Sequence, residues 1–229
     1  MSEHIFFDLD RTLWDFDKNS SRVLDEMFDE HLAWQGLADK AVFIAKYQEI
    51  NEHAWHEYRS GIIEKDLLRW IRFYRTMEHF GRADKQLSVL LGEQYVERSP
   101  YQKGLLPNAF ETLEYLKEKG YHMHILTNGF SEIQHIKMQE SGLTPYFKNL
   151  ITSESLGVQK PHAQAFDAAR EIAGIANQHA IMIGDDLHVD VLGAQAVGMT
   201  GVYFNITGAA HGEAPNHEIS NLIELCDLL

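Results

Sequence analysis

Cysteine is almost missing from this chain: Cys226 is the single one in 229 residues. That excludes an intramolecular disulfide and leaves no cysteine cluster for zinc or iron–sulfur ligation. Basic residues are also scarce, 20 Lys and Arg against 34 Asp and Glu, for a net charge of −14 with His neutral. Such a balance argues against a nucleic-acid polymer as partner, since that binding needs clustered Lys and Arg, whereas one bound phosphate needs only a local cation. No apolar run approaches the length of a membrane span, and the first residues show no basic segment followed by an apolar stretch. A cytoplasmic location away from the membrane is the expectation. Internal repeats and low-complexity tracts are lacking too. The length fits one sizeable core plus a smaller insertion.

What is present begins at His4–Thr12, HIFFDLDRT. Ile5, Phe6 and Phe7 form an apolar, aromatic run suited to a strand buried on both faces of a parallel sheet. The run ends in Asp8 and Asp10. In open α/β sheets ligands bind at the carboxyl ends of the strands, and residues two apart can face the same crevice. Two close carboxylates raise each other's pKa unless a cation lies between them, and Mg²⁺ is a hard ion that accepts carboxylates, water and phosphate oxygens. Asp residues that merely cap the following loop would give the same local pattern.

From about residue 17 to 101 the rhythm becomes helical. Asn19, Ser20 or Ser21 is expected to cap a first helix stopped by Gly36. A second starts at Asp39, a third runs to Gly81, and a fourth goes from Asp84 to Ser99–Pro100. Four amphipathic helices with short connections make a small bundle. Its aromatics Tyr47, Trp55 and Tyr58 read as bundle core, while Trp14 and Phe16, on the connection leaving the two carboxylates, are placed beside the substrate. His53 and His56 have a ligand-like spacing but read as solvated helix surface.

The α/β pattern resumes at residue 102. Pro107–Asn108 opens a helix, and Tyr121–Leu126 reads as a strand ending in Thr127-Asn128-Gly129, where a permissive backbone can turn amides toward an anion before a helix near Ser131. Leu150–Ser153 reads as a third strand. Pro161 is expected at the first position of a helix, which puts Lys160 at its positive end, an awkward place for a cation unless a negative group is bound nearby. Ala180–Ile183 is a fourth strand running into Gly184-Asp185-Asp186, with Asp190 following. Asp185 is placed as a metal ligand, and Asp186 has the simpler explanation of starting the next helix. Thr200–Phe204 is a fifth strand, and Ser220 caps a last helix. The architecture expected is a Rossmann-like parallel sheet, residues 1–16 and 102–229, interrupted by a four-helix cap over 17–101.

Taken together, DLDRT at 8–12, LTN at 126–128, Lys160 before Pro161 and GDDLHVD at 184–190 resemble the four motifs of the haloacid dehalogenase superfamily of phosphohydrolases. The segment WDFD after the first motif is similar to the pyrimidine 5′-nucleotidase branch. The resemblance implies Asp8 as a nucleophile forming an aspartyl-phosphate and Asp10 as the general acid and base. It implies Mg²⁺ held by Asp8, the backbone carbonyl of Asp10 and Asp185, with Asp190 in or just behind that shell. Thr127, Asn128 and Lys160 would hold the phosphoryl group, with Trp14 and Phe16 near the leaving group. A small phosphomonoester, with a pyrimidine nucleoside 5′-monophosphate favoured, is the implied substrate.

Two other readings stand beside this one. A sugar-phosphate or phosphoglycolate phosphatase, or a phosphosugar mutase, would carry the same motifs. A non-catalytic phospho-aspartate receiver module also uses acids, Thr and Lys around Mg²⁺, but its acidic pair precedes the phosphorylated Asp and it carries no helical insertion.

Overall fold

A computed structural model describes residues 4–33, 36, 39–175 and 180–229. The chain divides into two compact units, residues 1–16 with 103–229, and residues 17–102. In the first unit the described strands are β1 (His4–Phe7), β2 (His122–Thr127), β3 (Phe147–Thr152), β4 (Ala180–Gly184), β5 (Thr200–Phe204) and β6 (His217–Ile219). They form one sheet in the order β3-β2-β1-β4-β5-β6, and each neighbouring pair is parallel.

Alternation along the strands builds a core on each face of that sheet. Ile5, Phe7, Ile125, Ile183 and Val202 pack into one, and Phe6, Leu126, Met182 and Phe166 into the other. The strand order runs outward from β1 in both directions, so the carboxyl ends of β1 and its neighbours β2 and β4 meet where the order reverses, the usual ligand crevice of such sheets.

The second unit holds most of α1 (Phe16–His31), then α2 (Lys40–Arg59), α3 (Lys65–His79) and α4 (Lys85–Arg98). Val23, Leu24, Met27 and Phe28 pack with Phe43, Tyr47, Phe73, Leu91 and Tyr95 into its own core. Asp39 caps α2 by accepting from the Ala41 amide at 2.9 Å, and Asp84 caps α4 by accepting from Leu87 at 3.0 Å. Tyr47 is core, as read from the sequence, and His53 and His56 are exposed. The start of α1 corrects the sequence reading. The helix begins at Phe16, so Asn19 and Ser20 are buried within it and are not its caps. Ser20 accepts a hydrogen bond from the Tyr95 hydroxyl at 2.9 Å, a tertiary partner that the local pattern could not reveal.

The remaining helices of the first unit are α5 (Ala109–Glu118), α6 (Ser131–Glu140), α7 (Ser153–Leu156), α8 (Ala163–Ala173), α9 (Gly193–Ala196) and α10 (Leu225–Leu228). A π-helical stretch, Leu187–Leu192, joins β4 to α9. Two helix starts and two strands differ from expectation, β3 by beginning at Phe147 rather than Leu150. Pro161 is not the first residue of α8: His162 is the N-cap, and Pro161 follows Lys160 through a cis peptide bond. Asn221, not Ser220, caps the last helical segment, because its side chain reaches the Ile223 amide while Glu224 reaches back to complete a capping box. The edge strand β6 is short and polar at two of its three positions, so it left no periodic signal. Among the described residues no helix is long and apolar enough to cross a membrane.

Candidate active site

β1 delivers Asp8 to the carboxyl edge of the sheet, and the Asp8 amide continues the ladder by donating to the Ile183 carbonyl at 2.9 Å. Beyond it the chain turns sharply. Arg11 adopts a left-handed backbone (φ 65°), uncommon for a residue with a side chain, and the Trp14 amide bonds back to the Leu9 carbonyl. Thr12 is fully buried in this turn and locks it to the next motif, accepting from the Asp185 amide at 3.1 Å and donating to the Asp185 carboxylate at 3.3 Å.

Asp8, Asp185 and Asp190 converge. One carboxylate oxygen from each lies within 4.8 Å of the others, and this is the one such group of three metal-ligating side chains among the described residues. Gly184 makes the convergence possible, since a Cβ there would stand 2.2 Å from Asp190 Oδ2. Asp186 has the structural role read from the sequence, capping the π-helical stretch through the His188 and Val189 amides.

Lys160 is the cation of the cluster. Only 2% exposed, it donates to Asp8 Oδ1 at 2.8 Å and to the Leu126 carbonyl at 2.6 Å, and it pairs with Asp190 Oδ1 at 2.7 Å. Its three ammonium protons are thus all engaged by the protein. Carboxylates hold Lys160, not the end of α8, which begins only at Ala163. Asn128 fixes its backbone from both sides, accepting from the Lys160 amide and donating to the Lys160 carbonyl, each at 2.9 Å. The Asn128 side chain is therefore committed to Lys160, which leaves the backbone amide as the group it can offer a phosphoryl oxygen. Thr127 is buried at the end of β2, and its hydroxyl accepts from the Gly129 amide at 3.1 Å.

The electrostatics show a site short of positive charge. Burial raises the Asp8 carboxyl to about 7; Lys160 opposes this, and Asp190 and Asp10 add to it. Burial likewise raises Asp185, reinforced by Asp8 and Asp190, and raises Asp190 against the pull of Lys160. Burial works against the Lys160 charge, yet Asp190 and Asp8 outweigh it and raise its pKa. Two buried carboxylates, Asp8 and Asp190, share one buried ammonium, and the half-buried Asp185 adds a third acid beside them. A divalent cation fits this donor set: all-oxygen, anionic and closely spaced.

Asp10 lies outside that cluster, and two residues that sequence reasoning missed hold it. Lys137 Nζ is 2.5 Å from Asp10 Oδ1, and Gln134 Nε2 is 2.9 Å from Asp10 Oδ2. Trp14 corrects the sequence reading. It is 1% exposed and belongs to the core, so its indole offers no open face to a leaving group. It serves instead as a surface for the Lys137 ammonium, 4.1 Å from the ring centroid. Phe16 is only partly buried, with the Arg11 guanidinium 4.6 Å above its ring.

Comparison with known proteins agrees with this geometry. A family model described as haloacid dehalogenase-like hydrolase matches residues 3–198. The chain is 32% identical over 228 residues to the pyrimidine 5′-nucleotidase PynA of Streptococcus pneumoniae, covering 98% of this chain and 94% of that one. It is 30% identical over 254 residues, covering both chains completely, to a ribulose-1,5-bisphosphate 5-phosphatase of Halopiger xanaduensis. The magnesium-bound crystal structure of YfnB from Bacillus subtilis superposes with a TM-score of 0.87 at 27% identity, covering 99% of this chain and 98% of that one. Because that family model spans residues 3–198 and the relative at 32% identity covers nearly the whole chain, the chain belongs to the haloacid dehalogenase-like hydrolases.

Proposed function

We propose that this hydrolase is a Mg²⁺-dependent phosphomonoesterase that works through an aspartyl-phosphate on Asp8. The observation that carries the reading is the state of Asp8: a nearly buried carboxylate at the end of β1, fixed at Oδ1 by Lys160 and ringed by two further acids. Asp8, Asp185 and the backbone carbonyl of Asp10 would hold the metal, with Asp190 beside them securing Lys160. A cation held there would neutralise the phosphoryl charge that otherwise repels a carboxylate nucleophile.

The chain's own groups then divide the work. Asp8 attacks phosphorus as the ester P–O bond breaks, and Asp10 gives its proton to the departing oxygen. Water next attacks the phosphoryl group on Asp8, Asp10 takes a proton from that water, and the phosphorus–Asp8 bond breaks to release inorganic phosphate. Thr127, the Asn128 amide and the fixed charge of Lys160 stabilise the equatorial oxygens in both steps. Residues 17–101 act as a cap that selects the leaving group and excludes water from the site.

For the substrate we favour a pyrimidine nucleoside 5′-monophosphate, turned over in the cytoplasm. The near full-length identity with PynA supports this, together with the WDFD segment and the partly open ring of Phe16. The full-length match to a bisphosphate sugar phosphatase favours a sugar phosphate as the second reading. Phosphate release from UMP and dUMP, compared with ribulose 1,5-bisphosphate, glucose 6-phosphate, phosphoglycolate and a purine monophosphate, decides between them. A tenfold higher kcat/KM for a sugar phosphate, about 1.4 kcal/mol of transition-state binding, would overturn the nucleotidase reading and leave the phosphatase intact.

A further inference from the structure

Helix α6 buries two polar residues beside its core methionine, Met138. Its isoleucines, Ile133 and Ile136, are only half-buried, while its polar Gln134 and Lys137 are 1% and 4% exposed. Residues three apart share a helix face, and here that face grips one carboxylate. Lys137 takes Oδ1 of Asp10 and Gln134 takes Oδ2. Neither is hydrogen-bonded to or ion-paired with Asp8, Asp185 or Asp190.

The arrangement is held at some cost. Gln134 Oε1 is buried with no partner, so the amide is committed through its nitrogen end to Asp10 alone. Gly129 gives the amide its room, since a Cβ at that position would stand 1.7 Å from Gln134 Nε2. Trp14 covers the Lys137 ammonium from another side, and Phe16 lies 5.7 Å from it. A plain anchor for α6 would need one ion pair. It would not need both oxygens of an acid two residues from the nucleophile.

We propose that Gln134 and Lys137 are positioning residues that fix the plane and direction of the Asp10 carboxylate for proton transfer. Held at one oxygen, a carboxylate still turns about its last torsion. Held at both, it presents its remaining lone pairs in one direction, and proton transfer depends steeply on such alignment. The inference rests on the acid–base role of Asp10 stated above.

The test uses the full-length protein and its Lys137→Met, Gln134→Met and Asp10→Asn variants, each checked for an intact melting transition. Release of the leaving group is followed in a single turnover with enzyme in excess. Two esters are compared: an alkyl phosphate that the parent hydrolyses, and p-nitrophenyl phosphate, whose nitrophenolate departs without a proton. Proton transfer contributes roughly 10²-fold or more to such reactions. Lys137→Met is expected to lose most of that on the alkyl ester with an unchanged half-saturating enzyme concentration, Gln134→Met to lose a smaller share, and both to stay near the parent on p-nitrophenyl phosphate. Equal losses on the two esters, or no loss on either, would overturn the proposal. Should Lys137→Met fail to fold, Gln134→Met, neutral and close in volume, decides by the same criterion. An Asp10→Asn variant that keeps the parent's rate on the alkyl ester removes the acid–base role itself, and the inference with it.

Discussion

The two units of the molecule bury positive charge in opposite ways. In the helical unit Arg72 is 5% exposed, yet no carboxylate among the described residues pairs with it. Its guanidinium donates to Asn51 Oδ1 at 2.7 Å and lies 5.2 Å from the ring of Tyr95 and 5.8 Å from that of Tyr47. In the sheet unit Lys160 and Lys137 are each bound to acids, and the acids outnumber the cations. A buried charge that only supports a fold can be held by neutral dipoles and aromatic faces. The sheet unit instead assembles carboxylates that repel one another, a costly arrangement that folding alone does not require.

This contrast is sharpest at Asp8. Replacing it with Asn removes nucleophile and anionic ligand together, and hydrolysis is expected to fall by on the order of 10⁴-fold or more in a steady-state assay. Lys160→Met comes next. It withdraws the fixed cation from the transferring group and is expected to lower kcat by ~10²–10³-fold. It also leaves Asp8 and Asp190 buried without their partner, so the melting temperature of the metal-free protein should drop. Arg72→Met is the counterpart in the helical unit. It leaves only Asn51 Oδ1 unpaired, a cost of ~1–3 kcal/mol at most, and the rate on p-nitrophenyl phosphate should match the parent. A loss of turnover in Arg72→Met as deep as that in Lys160→Met would erase the distinction between the two regions.

The carboxylate excess also gives a pH signature. The folded-state pKa of Asp8 stands at about 7, above its ordinary value of 3.8. At Asp8 the folded protein therefore binds more protons than the unfolded chain between these values, and the stability contributed by that group is lost as pH rises through the window. Burial holds His124 at about 4, below its ordinary 6.5, and acts in the opposite sense, so the parent is compared with Asp8→Asn: metal-free, it should lose more melting temperature than that variant between pH 5 and pH 7.5. Added Mg²⁺ should raise the melting temperature more at pH 7.5, where the carboxylates are ionised to receive it. An equal rise at both values would count against a metal at this cluster. The smallest effect concerns Gly129→Ala, whose new methyl must displace Gln134 at a cost of ~1–3 kcal/mol; calorimetry would register it.

The sheet unit was largely legible because its chemistry sits on short apolar runs that stop at an acid, a threonine or a glycine. Asp8, Thr127 and Asp185 each follow such a run, and the strand order then brings them side by side. Lys160 was legible as a cation out of place beside Pro161, although the helix itself starts at Ala163. Gln134 and Lys137 were not, since polar residues on a helix read as solvent-facing, and both are buried. Trp14 misled because closeness along the chain to Asp10 says nothing about which way an indole points. Asn19 and Ser20 misled for a related reason: their partner, Tyr95 in the case of Ser20, comes from 75 residues away.

The central claim is that Asp8 carries the phosphoryl group during turnover. Its most direct test is to mix the full-length enzyme, Mg²⁺ and a hydrolysed phosphate ester, quench in acid within the first turnover, and map the modified peptide by mass spectrometry. One phosphoryl group on Asp8, absent without Mg²⁺ and absent in Asp8→Asn, is the predicted result. Phosphate release at the parent's rate with Asp8 unmodified at every quench time would contradict the account.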